Sequence, residues 1–327
     1  MKERIIGLDI LRGTAIVIII AIHAYALFSA DTYITNPLAR HAYKCIFNMG
    51  NALFIMISGA LLLQEVQPVS TFMQKRFSKI IIPFLIWSIV YYTVAICMHK
   101  YPEISNWKDA LQMFVPYLFN NKINTLFWFI HLIIAIYLLT PLLQRAITGK
   151  KAATYAFCLW IGYMILRDIA PDIYICQISH SQLLMCTGIF IAGHYIYTYA
   201  SDFRHATVYY ACGFLLLYAI NLAVNTWWHY CSTVTTLQTC CLFGAIVSLR
   251  IDTQRKWTGF AVKLSRYSFL IYFLHIFVLN AIIILFPRGG GVHLLPFTTA
   301  IGVALICYIA GCLADLLPAR YKHWIGI

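Results

Sequence analysis

Ten stretches of mostly apolar residues dominate this chain, at about 7–28, 46–63, 80–98, 126–143, 152–166, 181–199, 207–224, 233–249, 267–286 and 297–317. All but the fifth reach the roughly 17–25 residues that carry a helix across a bilayer. None alternates apolar with polar residues as a strand does, and lipid offers no water to an open sheet edge, so each reads as a helix. Composition agrees, because 61% of the 327 residues are apolar and 11% are charged. So few charges cannot cover a water-facing surface, which excludes soluble, fibrous, disordered and disulfide-stapled chains. The expected fold is an all-α polytopic membrane bundle of about ten transmembrane helices, read as a single integral domain over 1–327.

An even number of spans puts both termini on one side, and the positive residues choose which. With the N-terminus cytoplasmic, 17 of the 24 Lys and Arg fall inside, from Lys2, Arg4 and Arg12 through Arg250 and Arg255 to Lys322. The other 7, among them Arg40, Lys108 and Arg288, fall outside. The net charge of +13 is therefore read as topology, and no nucleic-acid partner is expected. Lys2, Arg4 and Ala24-Tyr25-Ala26 imitate a secretory signal, but Asp9 and Arg12 sit too deep for one, and the segment is expected to be retained.

The longest connection, 99–125, contains Trp107 to Phe119, whose mixed polarity suits the membrane interface, with Pro116 expected to interrupt it. Gly289-Gly290-Gly291 after Pro287 reads as a flexible outer turn. The eleven cysteines are an odd number. Cys97, Cys158, Cys186, Cys212, Cys240, Cys241, Cys307 and Cys312 sit in apolar runs and read as small core residues. Neither a disulfide framework nor a metal site is expected.

Ionisable groups at membrane depth are costly and usually face a cavity or a partner. Of the eleven histidines, His41, His99, His180, His205, His229, His293 and His323 fall in expected loops or ends, whereas His23, His131, His194 and His275 lie within spans. His131 and His194 read as structural. His23 follows Arg12 by eleven residues, which is 20° past three full turns, so both lie on one helix face about 16 Å apart. Asp9, three residues before Arg12, can pair with it on that side, and Gly13 lets another helix approach closely. The stripe suits a path for an anionic substrate ending at a base. The other reading of the same residues is an Arg12 that snorkels and a His23 satisfied in the core.

Lys75, Arg76 and Lys79 precede the third span, and on an α-helix Arg76 and Lys79 would be neighbours able to hold phosphate oxygens, or to attract anionic lipid. Tyr272, three residues before His275, could orient that imidazole. Asp315 is expected to pair with Arg320. The sequence contains no G-x-x-x-x-G-K-[ST] loop, G-x-G-x-x-G, G-x-S-x-G or H-E-x-x-H motif, which argues against nucleotide hydrolysis and metalloprotease chemistry.

Leu8-Asp9-Ile10-Leu11-Arg12-Gly13, continuing to His23, resembles the opening signature of the acyltransferase-3 family of integral membrane acyltransferases: a basic residue, ten residues, then His. Further resemblances follow in order. They are Leu53 to Gly59 with its Phe54, Ile57, Ser58 and Gly59, the pair Arg76 and Lys79 followed by Pro83 and Trp87, Leu126 to Phe129 with Tyr137 to Pro141, and Leu264 to His275. Ala60 and Phe273 depart from the usual Tyr and Leu. Size and span number resemble the compact O-acetyltransferases of the family.

The resemblance implies an acyl-CoA donor, most simply acetyl-CoA, and as acceptor a hydroxyl of a cell-surface glycan or glycolipid, at a bacterial cytoplasmic (inner) membrane. It implies His23 as general base with Arg12 and Asp9 beside it, and Lys75, Arg76 and Lys79 on the CoA phosphates. His275, Tyr272 and Ser58 are further candidates. A glycolipid or polysaccharide transporter or flippase is the alternative, since intramembrane polar groups and basic mouths serve those proteins too.

Overall fold

The computed structural model describes residues 6–27, 34, 36–170, 181–224, 232–249, 251, 256–285 and 296–327. Lys2, Arg4, Arg250, Arg255, Arg288, His180, His229, His293 and the turn from Pro287 to Gly291 lie outside the described residues.

The helices are α1 (Ile6–Leu27), α2 (Pro37–Phe47), α3 (Gly50–Leu62), α4 (Val69–Arg76), α5 (Ile82–Cys97), α6 (Trp107–Phe119) and α7 (Trp128–Ala146), followed by α8 (Gly149–Ile169), α9 (Gln182–Tyr199), α10 (Ala206–Ala223), α11 (Thr233–Val247), α12 (Lys256–Leu285), α13 (Pro296–Ala314) and α14 (Ala319–Ile325). No strand occurs among the described residues. Each of the ten apolar stretches, over its described residues, lies largely in helix. Among the described residues seven segments are long and apolar enough to cross a membrane: α1, Pro37–Leu62, Val69–Cys97, Thr125–Ala146, α10, Trp257–Leu285 and α13. The other three stretches fall on α8, which carries Lys150, Lys151, Arg167 and Asp168 near its ends, on α9 with its polar Gln182, Thr187, His194 and Thr198, and on α11, which is 15 residues long.

Several boundaries differ from expectation for identifiable reasons. The second apolar stretch begins nine residues early, at Pro37, because the Asn36 side chain caps the Leu38 and Ala39 amides and Pro37 needs no partner for its missing N–H. His41 is consequently a buried helical residue and not a loop histidine. Ahead of Pro83 the backbone widens into a π-helical turn, Phe77–Ile81. Proline offers no N–H to the Lys79 carbonyl four residues back and its ring would strike it, so a looser turn is the accommodation. Helix α6 runs through Pro116 without interruption, with the Pro116 carbonyl accepting from the Asn120 amide. The cysteines divide: Cys186, Cys240 and Cys307 are buried, but Cys97, Cys158 and Cys212 are exposed on helix faces, where a thiol suits lipid as well as core. Asp315 pairs with Lys322 at 3.2 Å and not with Arg320.

The chain divides into two compact units, Met1–Val66 with Leu142–Leu313, and Gln67–Pro141 with Ala314–Ile327. In the first, α1 is the central helix, with Leu11, Ala15, Ile16, Ile20 and Ala24 fully buried. Helices α3 and α9 approach most closely, where Gly59 lies against the Phe190 carbonyl and Gly193 against Met56. Just past the end of α3, the Gln64 amide donates to Thr198 Oγ1 at 2.9 Å. Helices α10 and α11 form a hairpin. Across it the Asn221 side-chain amide donates to Thr235 and Gln238, and the Asn221 backbone carbonyl accepts from His41 Nε2 at 2.7 Å. In this buried network each polar group meets another, which is the condition for tolerating it in a core.

In the second unit, Phe84, Tyr91 and Phe127 meet edge to face, and α14 packs beside α5 with the Trp87 Nε1–H donating to the Ile325 carbonyl. The connection 99–125 is fastened by Tyr101, whose hydroxyl donates to the Lys122 carbonyl, and by Tyr117, whose hydroxyl donates to Glu103. That second bond holds the Glu103 carboxyl below its ordinary value near 4.5 and pushes the Tyr117 phenol up to about 12. A depressed carboxylate contributes stability above its unfolded value and loses it as pH falls through the folded one. Protection factors for amide exchange over 99–125, corrected for the intrinsic rate, are therefore expected to fall in acid, and in Tyr117→Phe to be low at neutral pH already. An unchanged profile in that variant would remove the bond from the account.

Candidate functional site

Asp9, Arg12 and His23 of α1 each meet the helix α12. Asp9 is 4% exposed, and a carboxylate so buried needs compensation. Ser265 Oγ on α12 donates to Asp9 Oδ1 at 2.6 Å. Arg12 Nη1 donates to the same Ser265 Oγ at 3.0 Å and lies 3.6 Å from Asp9 Oδ1. Ser265, itself 2% exposed, thus ties acid and guanidinium to α12. The Leu264 side chain fills the space beside Gly13, which is the close approach the missing side chain allows.

Farther along the same seam, the His23 ring lies 5.4 Å from the His275 ring, centroid to centroid, at 36°. Asp9 and Arg12 meet Ser265, and His23 faces His275, so α1 and α12 run in the same direction and both functional positions of α1 face the same helix. His23 is half-buried, and its ring nitrogens make no hydrogen bond among the described residues. His275 is fully buried. Its Nδ1 lies 3.1 Å from the Ile271 carbonyl. A carbonyl only accepts, so Nδ1 carries the hydrogen, and in the neutral ring Nε2 keeps the lone pair. That Nε2 is buried and has no hydrogen-bond partner. The expected orienting group, Tyr272, has its ring 6.0 Å away; it is the Ile271 carbonyl, one turn back, that sets the tautomer.

Ser58 is half-buried on α3, next to Gly59, whose contact with Phe190 explains glycine there: any side chain would overlap the Phe190 carbonyl. His194 is a core residue beside Gln64 and Thr198. His131, in the second unit, lies 2.9 Å from Asn121 Oδ1 through Nδ1 and leaves a buried Nε2 unpartnered.

Lys75, Arg76 and Lys79 belong to the second unit. The π-helical turn after Arg76 replaces the ideal α spacing between Arg76 and Lys79. Lys75 and Lys79 are exposed. The Arg76 guanidinium stacks over the Phe72 ring at 5.6 Å, and its buried Nε has no hydrogen-bond partner. A buried guanidinium N–H left unpaired is costly and suits an anion. Among the described residues no group of three or more His, Cys, Asp or Glu gathers to hold a metal.

Ser265 is the site residue that sequence reasoning missed. It stands in a segment rich in apolar and aromatic residues, and nothing in its spacing marks it, because its role depends on which helix lies beside α1.

No curated protein and no solved structure matches the chain. An acyltransferase domain model does match, over residues 5–314, which takes in every helix from α1 to α13. With an all-helical architecture, apolar segments of membrane length, and a basic and imidazole pair on its first helix, this chain belongs to the acyltransferase-3 family and is a membrane acyltransferase.

Proposed function

We propose that the protein O-acylates a hydroxyl of a cell-surface glycan or glycolipid, taking the acyl group, most simply acetyl, from acyl-CoA on the cytoplasmic side of a bacterial inner membrane. The observation that carries this reading is the α1–α12 seam, where Arg12 and His23 face one helix at two depths of a family acyltransferase. The orphaned His275 Nε2 lies beside the deeper one. Parallel α1 and α12 support the ten-span reading, in which they are the first and ninth spans and cross in the same direction.

In the reaction His23 removes the acceptor's hydroxyl proton as the oxygen attacks the thioester carbonyl. The new C–O bond forms, the C–S bond breaks, and the departing thiolate takes a proton. Arg12, its fork held by Asp9 and Ser265, stabilises negative charge on the carbonyl oxygen or on the donor. Arg76 and Lys79, with Lys75 beside them, hold the CoA phosphates. Tyr272, whose ring lies 6.0 Å from His275, and Ser58 are further candidates in the first unit.

The test is transfer of label from radiolabelled acetyl-CoA to the envelope glycan fraction by the purified protein in lipid nanodiscs. Transport of glycan with the thioester untouched would overturn the reading in favour of a flippase. For the donor site, Arg76→Gln is expected to weaken CoA binding about tenfold or more, the worth of a charge-assisted hydrogen bond. Isothermal titration reads this, and unchanged affinity would remove Arg76 from the donor site.

A further inference from the structure

A general base works best when a second group holds its ring and fixes its tautomer, the part a carboxylate plays in a catalytic triad. Among the described residues no carboxylate is bonded to His23: the acid on α1 is Asp9, fourteen residues before His23 and engaged by Ser265. What does stand beside His23 is the second imidazole, 5.4 Å away and fully buried. Its Nδ1–H is committed to the Ile271 carbonyl, so its Nε2 can only accept. That acceptor has no donor, and an unmade buried hydrogen bond is expensive. Neutral His23 carries one N–H and makes no hydrogen bond with it. The two deficits lie side by side, one ring short of a donor and the other short of an acceptor.

We propose that His275 is the positioning residue for His23. In the working enzyme a small rotation of the His23 ring directs its N–H to His275 Nε2, which leaves the opposite nitrogen of His23 as the lone pair aimed at the acceptor hydroxyl. The hydroxyl proton goes to that nitrogen as the C–O bond forms. The imidazolium is then held through its other N–H by His275 until the thiolate released by C–S cleavage takes the proton, so both rings end as they began. A neutral acceptor in this role avoids burying a second anion at membrane depth. This inference rests on the acyl-transfer reading and adds a residue to it.

Three variants of the full-length protein in nanodiscs test it, with acetyl-CoA as donor and the envelope glycan fraction as acceptor. His275→Phe keeps an aromatic ring and loses the acceptor; kcat is expected to fall about 100-fold with the KM for acetyl-CoA within about threefold of wild type. His275→Gln restores an acceptor oxygen and is expected to recover about tenfold of that loss. A packing role predicts the reverse order, Phe at least as active as Gln, and that order overturns the proposal. So does a His275→Phe enzyme with more than a third of wild-type activity. If His275→Phe fails to fold, His275→Met, similar in volume and without a strong acceptor, takes its place against Gln. The third variant, His23→Ala, separates the two claims. If it transfers acetyl at the wild-type rate, the role of His23 falls and this inference with it. If it is inactive while His275→Phe is normal, the positioning role alone falls.

Discussion

His23→Ala is expected to lower acetyl transfer by about 10²–10⁴-fold, the usual worth of a positioned general base, while leaving the amount of folded protein unchanged. Both halves follow from the same observation. His23 is half-buried and makes no hydrogen bond among the described residues, so trimming it removes some ring contact with His275 and no network. A loss of activity without a loss of stability separates a chemical group from a core one, since a satisfied core histidine would show the opposite pattern. Size-exclusion profile and melting temperature report the first, label transfer the second. A His23→Ala protein that melts normally and still transfers acetyl would remove the base from the mechanism.

Gly59→Val is expected to abolish the folded protein. A branched side chain at Gly59 would overlap the backbone of Phe190, and Gly193 presses on the backbone of Met56 within the same contact. Backbone cannot turn aside as a flexible side chain can, so α3 and α9 would have to separate, losing the close contact that drives helix association in lipid. Overpacking alone costs about 1–3 kcal/mol, and here the loss of the interface adds to it. Gly162→Ala is the control, because nothing lies within 4 Å of the added carbon and alanine favours the helix by up to about 1 kcal/mol. Melting in detergent should show the first protein absent or strongly destabilised and the second at or slightly above wild type. A folded, active Gly59→Val protein would mean that the two helices are not held as described.

Hydropathy marks the helices well because lipid permits only helices and leaves long uninterrupted apolar runs as their signature. Helix α1 was expected over 7–28 and is Ile6–Leu27; α10 was expected over 207–224 and is Ala206–Ala223. Local spacing was equally legible: Arg12 and Asp9, one turn apart, do meet, and Gly13 does admit a neighbour. Errors arise where a partner is chosen among equals. Asp315 takes Lys322, seven residues on, over Arg320, since the turn after α13 and the cap of α14 decide which ammonium or guanidinium comes within reach. His41 looked like a loop residue until the cap at Asn36 extended its helix inward and brought it to Asn221, 180 residues away.

The order of apolar and basic residues was thus enough to establish an all-helical membrane chain, its approximate helices, and a first helix bearing acid, guanidinium and imidazole on one side, because periodicity and solvent preference act along the chain. Only the tertiary structure could reveal that α12 is the helix those groups face, that Ser265 joins Asp9 to Arg12, and that His275 offers His23 an unclaimed nitrogen. Those are contacts between residues some 250 positions apart, and short-range pattern carries no information about which of many similar apolar helices becomes a neighbour.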